Sequence, residues 1–137
     1  MNAILLDTNA ITALFHGETD VLDVVAMADC VYASAIVIGE LEAGFRGGSR
    51  YVDNLAILNR FLAKPSVTIL PVGRDTGECF GRVKQSLKRK GTPVPINDIW
   101  LAAQSMETGA VLVTYDSHFD LVDGLRLWTR PPRNPPR

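Results

Sequence analysis

The stretch Ala3-Ile4-Leu5-Leu6-Asp7-Thr8-Asn9 decides the fold. Four apolar residues in a row, without polar alternation, suit a strand buried on both faces, and such strands belong to parallel sheets covered by helices. The run stops at Asp7, and residues 10–15 read as a short helix. The same alternation recurs. Val31-Tyr32-Ala33 precedes a helix over 35–45 that Ser34 can cap and Gly47-Gly48 can end. Val67-Thr68-Ile69-Leu70, stopped by Pro71, precedes a polar helix over 75–90. Val111-Leu112-Val113-Thr114 follows a helix over 98–108 that Asn97 can cap and Gly109 can end. Further helices fit 18–28 and 51–62, and 125–128 fits a last short strand. The pattern predicts an α/β domain with a central, mostly parallel, twisted sheet of four to five strands flanked by helices.

The 137 residues are 47% hydrophobic and 21% charged, enough for one core without disulfides or a structural metal. One domain is expected over 1–129. Cys30 and Cys79 stand in no CxxC or Cys/His pattern and read as packing residues. Four of the eight residues 130–137 are proline, so an exposed, disordered Pro/Arg-rich tail is expected there. No apolar run approaches the roughly 18 residues of a membrane span. The start, MNAILLD, lacks signal-peptide character. No membrane partner and a cytoplasmic location are expected.

The formal charge of −1 hides an asymmetry. Four arginines and no acid follow from Arg126 onward, and the other 10 basic and 15 acidic side chains leave residues 1–125 at −5. A uniformly basic nucleic-acid binder is excluded. If a polyanion is bound, the candidate contacts are Arg46 and Arg50, the 84–90 stretch and the tail arginines, although charge runs are usually only solvated surface.

Four acids stand out by position. Asp7 follows the first strand directly, and Asp116 follows the 111–114 strand after Tyr115, so both belong at the carboxyl edge of a parallel sheet, where ligand crevices form. Glu40 has Ile36, Val37, Ala43 and Gly44 as helical neighbours, and Asp98 shares a face with Leu101 and Ala102, so both should look inward. Each has an ordinary alternative. Asp7-Thr8-Asn9 can be a capping turn, Asp98 a first-turn acid, Asp116 an Asx turn and Glu40 a surface residue. Together, inward carboxylates repel and lose hydration unless a cation or protons compensate, and all-oxygen ligands favour Mg²⁺ or Mn²⁺.

The chain resembles PIN-domain proteins of the VapC type, the ribonuclease toxins of VapBC toxin–antitoxin pairs. The resemblance rests on Leu5-Leu6-Asp7-Thr8-Asn9, on Ser34-Ala35 through Gly39-Glu40-Leu41, and on Pro95-Ile96-Asn97-Asp98-Ile99-Trp100-Leu101-Ala102-Ala103. It continues through Gly109-Ala110-Val111-Leu112-Val113-Thr114-Tyr115-Asp116 and His118-Phe119, followed by Gly124-Leu125. It implies a single PIN-like domain whose catalytic, metal-binding quartet is Asp7, Glu40, Asp98 and Asp116, supported by Thr8, Asn9 and Thr114. Many relatives carry Asn where this chain has Tyr115. His118 invites a general-base role, but a lone histidine near a loop is more often structural or solvated.

The implied activity is a Mg²⁺- or Mn²⁺-dependent endoribonuclease in which a metal-activated water attacks the phosphodiester. No cofactor beyond the metal is implied. The implied partners are RNA, a second copy of the chain, and a small VapB-like antitoxin through which alone operator DNA is reached. Leu14, Phe15, Phe45, Tyr51, Leu55 and Leu58 are candidates for apolar contacts, with core as the default. Two other readings are a non-catalytic metal-binding interaction module and an aspartyl phosphotransferase using Asp7. The second fits less well, because the position two residues on is Asn9.

Overall fold

In the computed structural model, which describes residues 2–129, the opening apolar run is a central strand. β1 (Ala3–Leu6) pairs in parallel with β2 (Cys30–Ser34) on one side and β4 (Val111–Val113) on the other. β3 (Val67–Leu70) extends the sheet beyond β2, giving the order β3-β2-β1-β4. Ile4, Leu5 and Leu6 are buried, which is why the strand carries no polar alternation.

Two helices follow each of the first three strands. α1 (Thr8–Phe15) and α2 (Thr19–Met27) lead to β2, and α3 (Ala35–Gly47) and α4 (Tyr51–Leu62) lead to β3. α5 (Arg74–Lys90) and α6 (Ile96–Thr108) bring the chain back to β4. Strands therefore step outward from β1 to β3 and then return to its other side. The reversal between β1 and β4 is a topological switch point, and a crevice opens at the carboxyl ends of such strands. The larger core joins the sheet to α1, α3 and α4, while a smaller one joins Val83 and Leu87 of α5 to Ile99 and Ala102 of α6.

Boundaries move where local chemistry decides them. α1 starts at Thr8, not residue 10, because extended Asp7 is its N-cap and accepts the Ala10 N–H at 3.0 Å. α6 starts at Ile96 with Pro95 as N-cap, so Asn97 does not cap it and Asp98 is the third residue of its first turn. Proline's fixed φ holds residue 95 extended at the boundary. β4 stops at Val113, which frees Thr114 for side-chain bonding. The expected strand over 125–128 is a single parallel bridge between Leu112 and Leu127, entered from Gly124 at φ +76°. A 3₁₀ turn, Ser117–Leu121, was not foreseen in the pattern.

Cys30 and Cys79 are free and half-buried. Among the described residues, no helix is long and apolar enough to cross a membrane. The expected tail over 130–137 lies outside the described residues.

One buried polar link aligns the helices that carry Glu40 and Asp98. Ser34 caps α3 by accepting the Ile36 N–H at 3.1 Å, and its hydroxyl donates to Gln104 Oε1 of α6. Gln104 Nε2 in turn donates to the carbonyls of Leu70 (3.4 Å) and Pro71 (3.3 Å) at the end of β3. Replacing Gln104 with Leu leaves these groups unpaired in the interior, at a cost of about 1–3 kcal/mol. Urea unfolding should show a lower midpoint with an unchanged slope.

Candidate functional site

The crevice at the switch point is built from the segments that follow β1 and β4, the first turns of α1 and α6, and the second turn of α3. Asp7, 4% exposed, takes a hydrogen bond from Ala10 N–H on Oδ1 and one from the Thr114 hydroxyl on Oδ2. The Thr114 oxygen also accepts the Asp116 N–H at 2.9 Å, so one threonine links the first and fourth acids. Asp116 Oδ1 accepts the His118 N–H at 2.9 Å, closing an Asx turn. His118 Nδ1 is 3.0 Å from Asp116 Oδ1 and 3.4 Å from Asp98 Oδ2. Glu40 Oε1 accepts the Thr8 hydroxyl at 2.9 Å, and Asn9 Oδ1 accepts the Tyr115 N–H at 3.1 Å.

All four acids line one cavity of about 370 Å³, together with Thr8, Asn9, Thr12 and Leu101. Thr114 supports it from behind, through Asp7. The sequence does not single out Thr12, and it gives Leu101 only as a neighbour on the Asp98 face. Their helical spacing, four residues after Thr8 and three after Asp98, is the pattern that places them there. Tyr115 ties the loop elsewhere, with its hydroxyl on Asp20 of α2 (2.7 Å) and its ring edge-on to Trp128.

Glu40 departs from its expected inward face. The buried residues of α3 are Val37 and Leu41, which leaves Glu40 exposed at the cavity rim, with Thr8 holding its carboxylate. Asp98 is half-buried, as its face required.

The electrostatics of the cavity are one-sided. Burial, partly offset by the Thr114 and Ala10 hydrogen bonds, raises the Asp7 carboxyl to about 6, and the nearby Asp98 and Asp116 charges add to the rise. Asp98 is also raised, first by burial and then by Asp116 and Glu40, against the lowering effect of His118. Among the described residues, no lysine or arginine forms an ion pair with any of the four acids. Carboxylates gathered this way need an external cation or a proton.

Candidate basic contacts have local partners of their own. Arg46 pairs with Glu42 and lies over the Tyr51 ring, Arg50 pairs with Asp53, and Lys90 pairs with Asp123. Lys84 and Lys88 line a separate open cavity beside Thr92. Of the apolar candidates, Leu14 and Phe15 line a groove with Leu22 and Phe61, rimmed by Arg60 and Lys64. Phe45, Tyr51 and Leu55 are half-buried, and Leu58 is core.

Residues 4–125 match the family model of the PIN domain. The chain belongs to the PIN-domain family. It is similar to ribonuclease VapC5 of Mycobacterium tuberculosis, 27% identical over 120 residues that cover 88% of this chain and 87% of that one. It is also similar to ribonuclease VapC2 of Haemophilus influenzae, 31% identical over 94 residues, covering 68% and 70%. Among solved structures, DNA-bound VapBC from Salmonella typhimurium contains a chain of TM-score 0.84 and 25% identity, with 93% of this chain and 98% of that one covered. The PIN domain thus has its carboxylates at the edge where a parallel sheet of this order opens a crevice.

The Asp7 shift sets a pH dependence of stability. The native carboxyl holds its proton more tightly than the unfolded chain, whose value is near 3.8, so stability falls as pH rises from there through about 6. In chelator, the Asp7→Asn variant should exceed the parent by as much as about 3 kcal/mol above pH 7. The gap should nearly close by pH 4. Denaturant titrations at both pH values check this, and a gap independent of pH contradicts the buried-charge account.

Proposed function

We propose that this PIN-domain protein is the toxin of a type II toxin–antitoxin pair, an endoribonuclease whose acidic cavity holds Mg²⁺ or Mn²⁺. The observation that carries the reading is the convergence of Asp7, Glu40, Asp98 and Asp116 on one cavity with no lysine or arginine among the described residues paired to them, in a chain similar to two ribonucleases.

The residues fit the ion. Carboxylate, hydroxyl and amide oxygens without thiolate suit a hard divalent cation, and raised carboxyls are the groups that a cation returns to the ionised form. Asp98 and Asp116 would hold it, with Asp7 as a further ligand directly or through water. When bound, the ion supplies charge neutralisation at the phosphodiester and a more acidic water.

The chain's own groups do the positioning. Thr114 fixes the Asp7 carboxylate, and Thr8 holds Glu40 at the rim, where it can orient a water toward phosphorus. Backbone grip on RNA falls to basic side chains, with Lys84 and Lys88 outside the cavity and, from the sequence alone, the tail arginines as candidates. We place the nuclease within residues 1–129.

The likeness to a chain of a DNA-bound VapBC complex supports a small antitoxin partner, with operator DNA reached through that antitoxin. The groove lined by Leu14, Phe15 and Phe61 is an apolar surface suited to the antitoxin. A homodimer follows from the same family reading.

The test is cleavage of total cellular RNA by antitoxin-free protein with Mg²⁺ or Mn²⁺, with chelator, and by Asp98→Asn and Asp7→Asn variants. Cleavage should need the metal and fall at least about 100-fold in each variant, the scale of losing a directly acting group. Full activity in chelator or in either folded variant overturns the reading.

A further inference from the structure

The reading above uses oxygen donors, yet a nitrogen stands among them. Single ligand-type atoms of Asp98, Asp116 and His118 lie within 4.8 Å of one another, and among the described residues these side chains form the one such group of three or more. They come from separate parts of the chain: Asp98 from the first turn of α6, Asp116 and His118 from the turn after β4. The separations from His118 Nδ1, 3.0 Å to Asp116 Oδ1 and 3.4 Å to Asp98 Oδ2, are informative. Adjacent ligands of a six-coordinate ion with bonds near 2.1 Å stand about 3 Å apart. The two separations from His118 Nδ1 are close to that spacing, and all three ligand atoms lie within 4.8 Å of one another.

The backbone offers the ring from a fixed place. His118 N–H donates to Asp116 Oδ1, and the next residue, Phe119, is fully buried in the core. The ring itself is half-exposed, so a hydrated ion can reach it. Asp7 and Glu40 fall outside the group, each held by a threonine hydroxyl.

Resting on the metal-dependent reading above, we propose that His118 is a metal ligand whose Nδ1 joins one carboxylate oxygen each of Asp98 and Asp116 on the same ion, and that this nitrogen makes Mn²⁺ preferred over Mg²⁺. Mg²⁺ takes oxygen ligands and gives up water reluctantly, whereas imidazole is a common ligand of transition ions. The ligating ring is neutral, with its proton on Nε2. A nitrogen so engaged is a ligand and not the general base.

The test is electron-spin-echo modulation of Mn²⁺ bound to the full chain, with Mn²⁺ and Mg²⁺ affinities from calorimetry. The wild type should show ¹⁴N modulation from a bound imidazole, and His118→Asn should not. In that variant the side-chain amide can still donate to Asp116 from the position of Nδ1, so a merely structural role survives. Its Mn²⁺ affinity should fall about tenfold or more, and its Mg²⁺ affinity less than about threefold, given the preferences of nitrogen and oxygen ligands. Mn²⁺ bound to the wild type without ¹⁴N modulation overturns the ligand assignment and leaves the metal-dependent reading standing. Equal losses for both ions overturn the selectivity. A folded wild type that binds neither ion overturns both readings. The wild-type spectrum decides the ligand even should the variant fail to fold.

Discussion

The carboxylate of Asp7 is the junction on which the rest of the site depends. It ends the central strand, caps α1 through the Ala10 N–H, and takes the Thr114 hydroxyl from across the β1–β4 boundary. One side chain thereby joins a strand, a helix and the neighbouring strand's exit loop. Asparagine or serine could cap the helix equally well without burying a charge. An acid here costs stability when ionised, because burial disfavours its charged form. The fold alone does not ask for that charge, whereas a cation in the cavity would.

The architecture then aims the other acids at the same point. Because β4 returns to the far side of β1, the segments after both strands meet, and Asp116 is delivered beside Asp7 through their shared threonine. α3 leaves directly from the end of β2, which pairs with β1 in register, so Glu40 comes to the rim from the opposite flank. α6 points its first turn into the crevice, and the Ser34–Gln104 link fixes it relative to the start of α3. Asp98 also gains from the helix N-terminus. Four residues spread over 110 positions of sequence thus converge on a single cavity of about 370 Å³.

Much of this is legible in the sequence. Uninterrupted apolar runs identify β1, β2 and β4 as buried parallel strands, and their position just before Asp7 and Asp116 puts both acids at one edge. Less legible were features decided by pairwise geometry. Nothing in the spacing of 125–128 says that the segment touches β4 at one bridge only, since that depends on where Gly124 turns the chain. Helical periodicity put Glu40 with its apolar neighbours, but the burial of α3 centres on Val37 and Leu41, and a residue at the border of that stripe can face either way. The Thr8 hydroxyl, 32 positions away, settles its direction. The helix expected from residue 98 begins two residues earlier, because Pro95, whose fixed φ marks the boundary, prevails over a possible Asn97 cap.

The ordinary and the functional readings of the acids do not exclude one another. Asp7 is a helix cap, Asp116 closes an Asx turn and Asp98 is a first-turn acid, and all three line the cavity. The reason is physical. A carboxylate that must hold an ion has to be immobilised in advance, and the most economical immobilisers are the backbone N–H groups left unpaired at helix starts and turns. Each such bond occupies one lone pair of one oxygen and leaves the others free to face the cavity. A capping role and a place in the site are therefore compatible in one residue. The informative observation is that two caps at the carboxyl edge of one parallel sheet, Asp7 and Asp116, are acids with no lysine or arginine partner among the described residues.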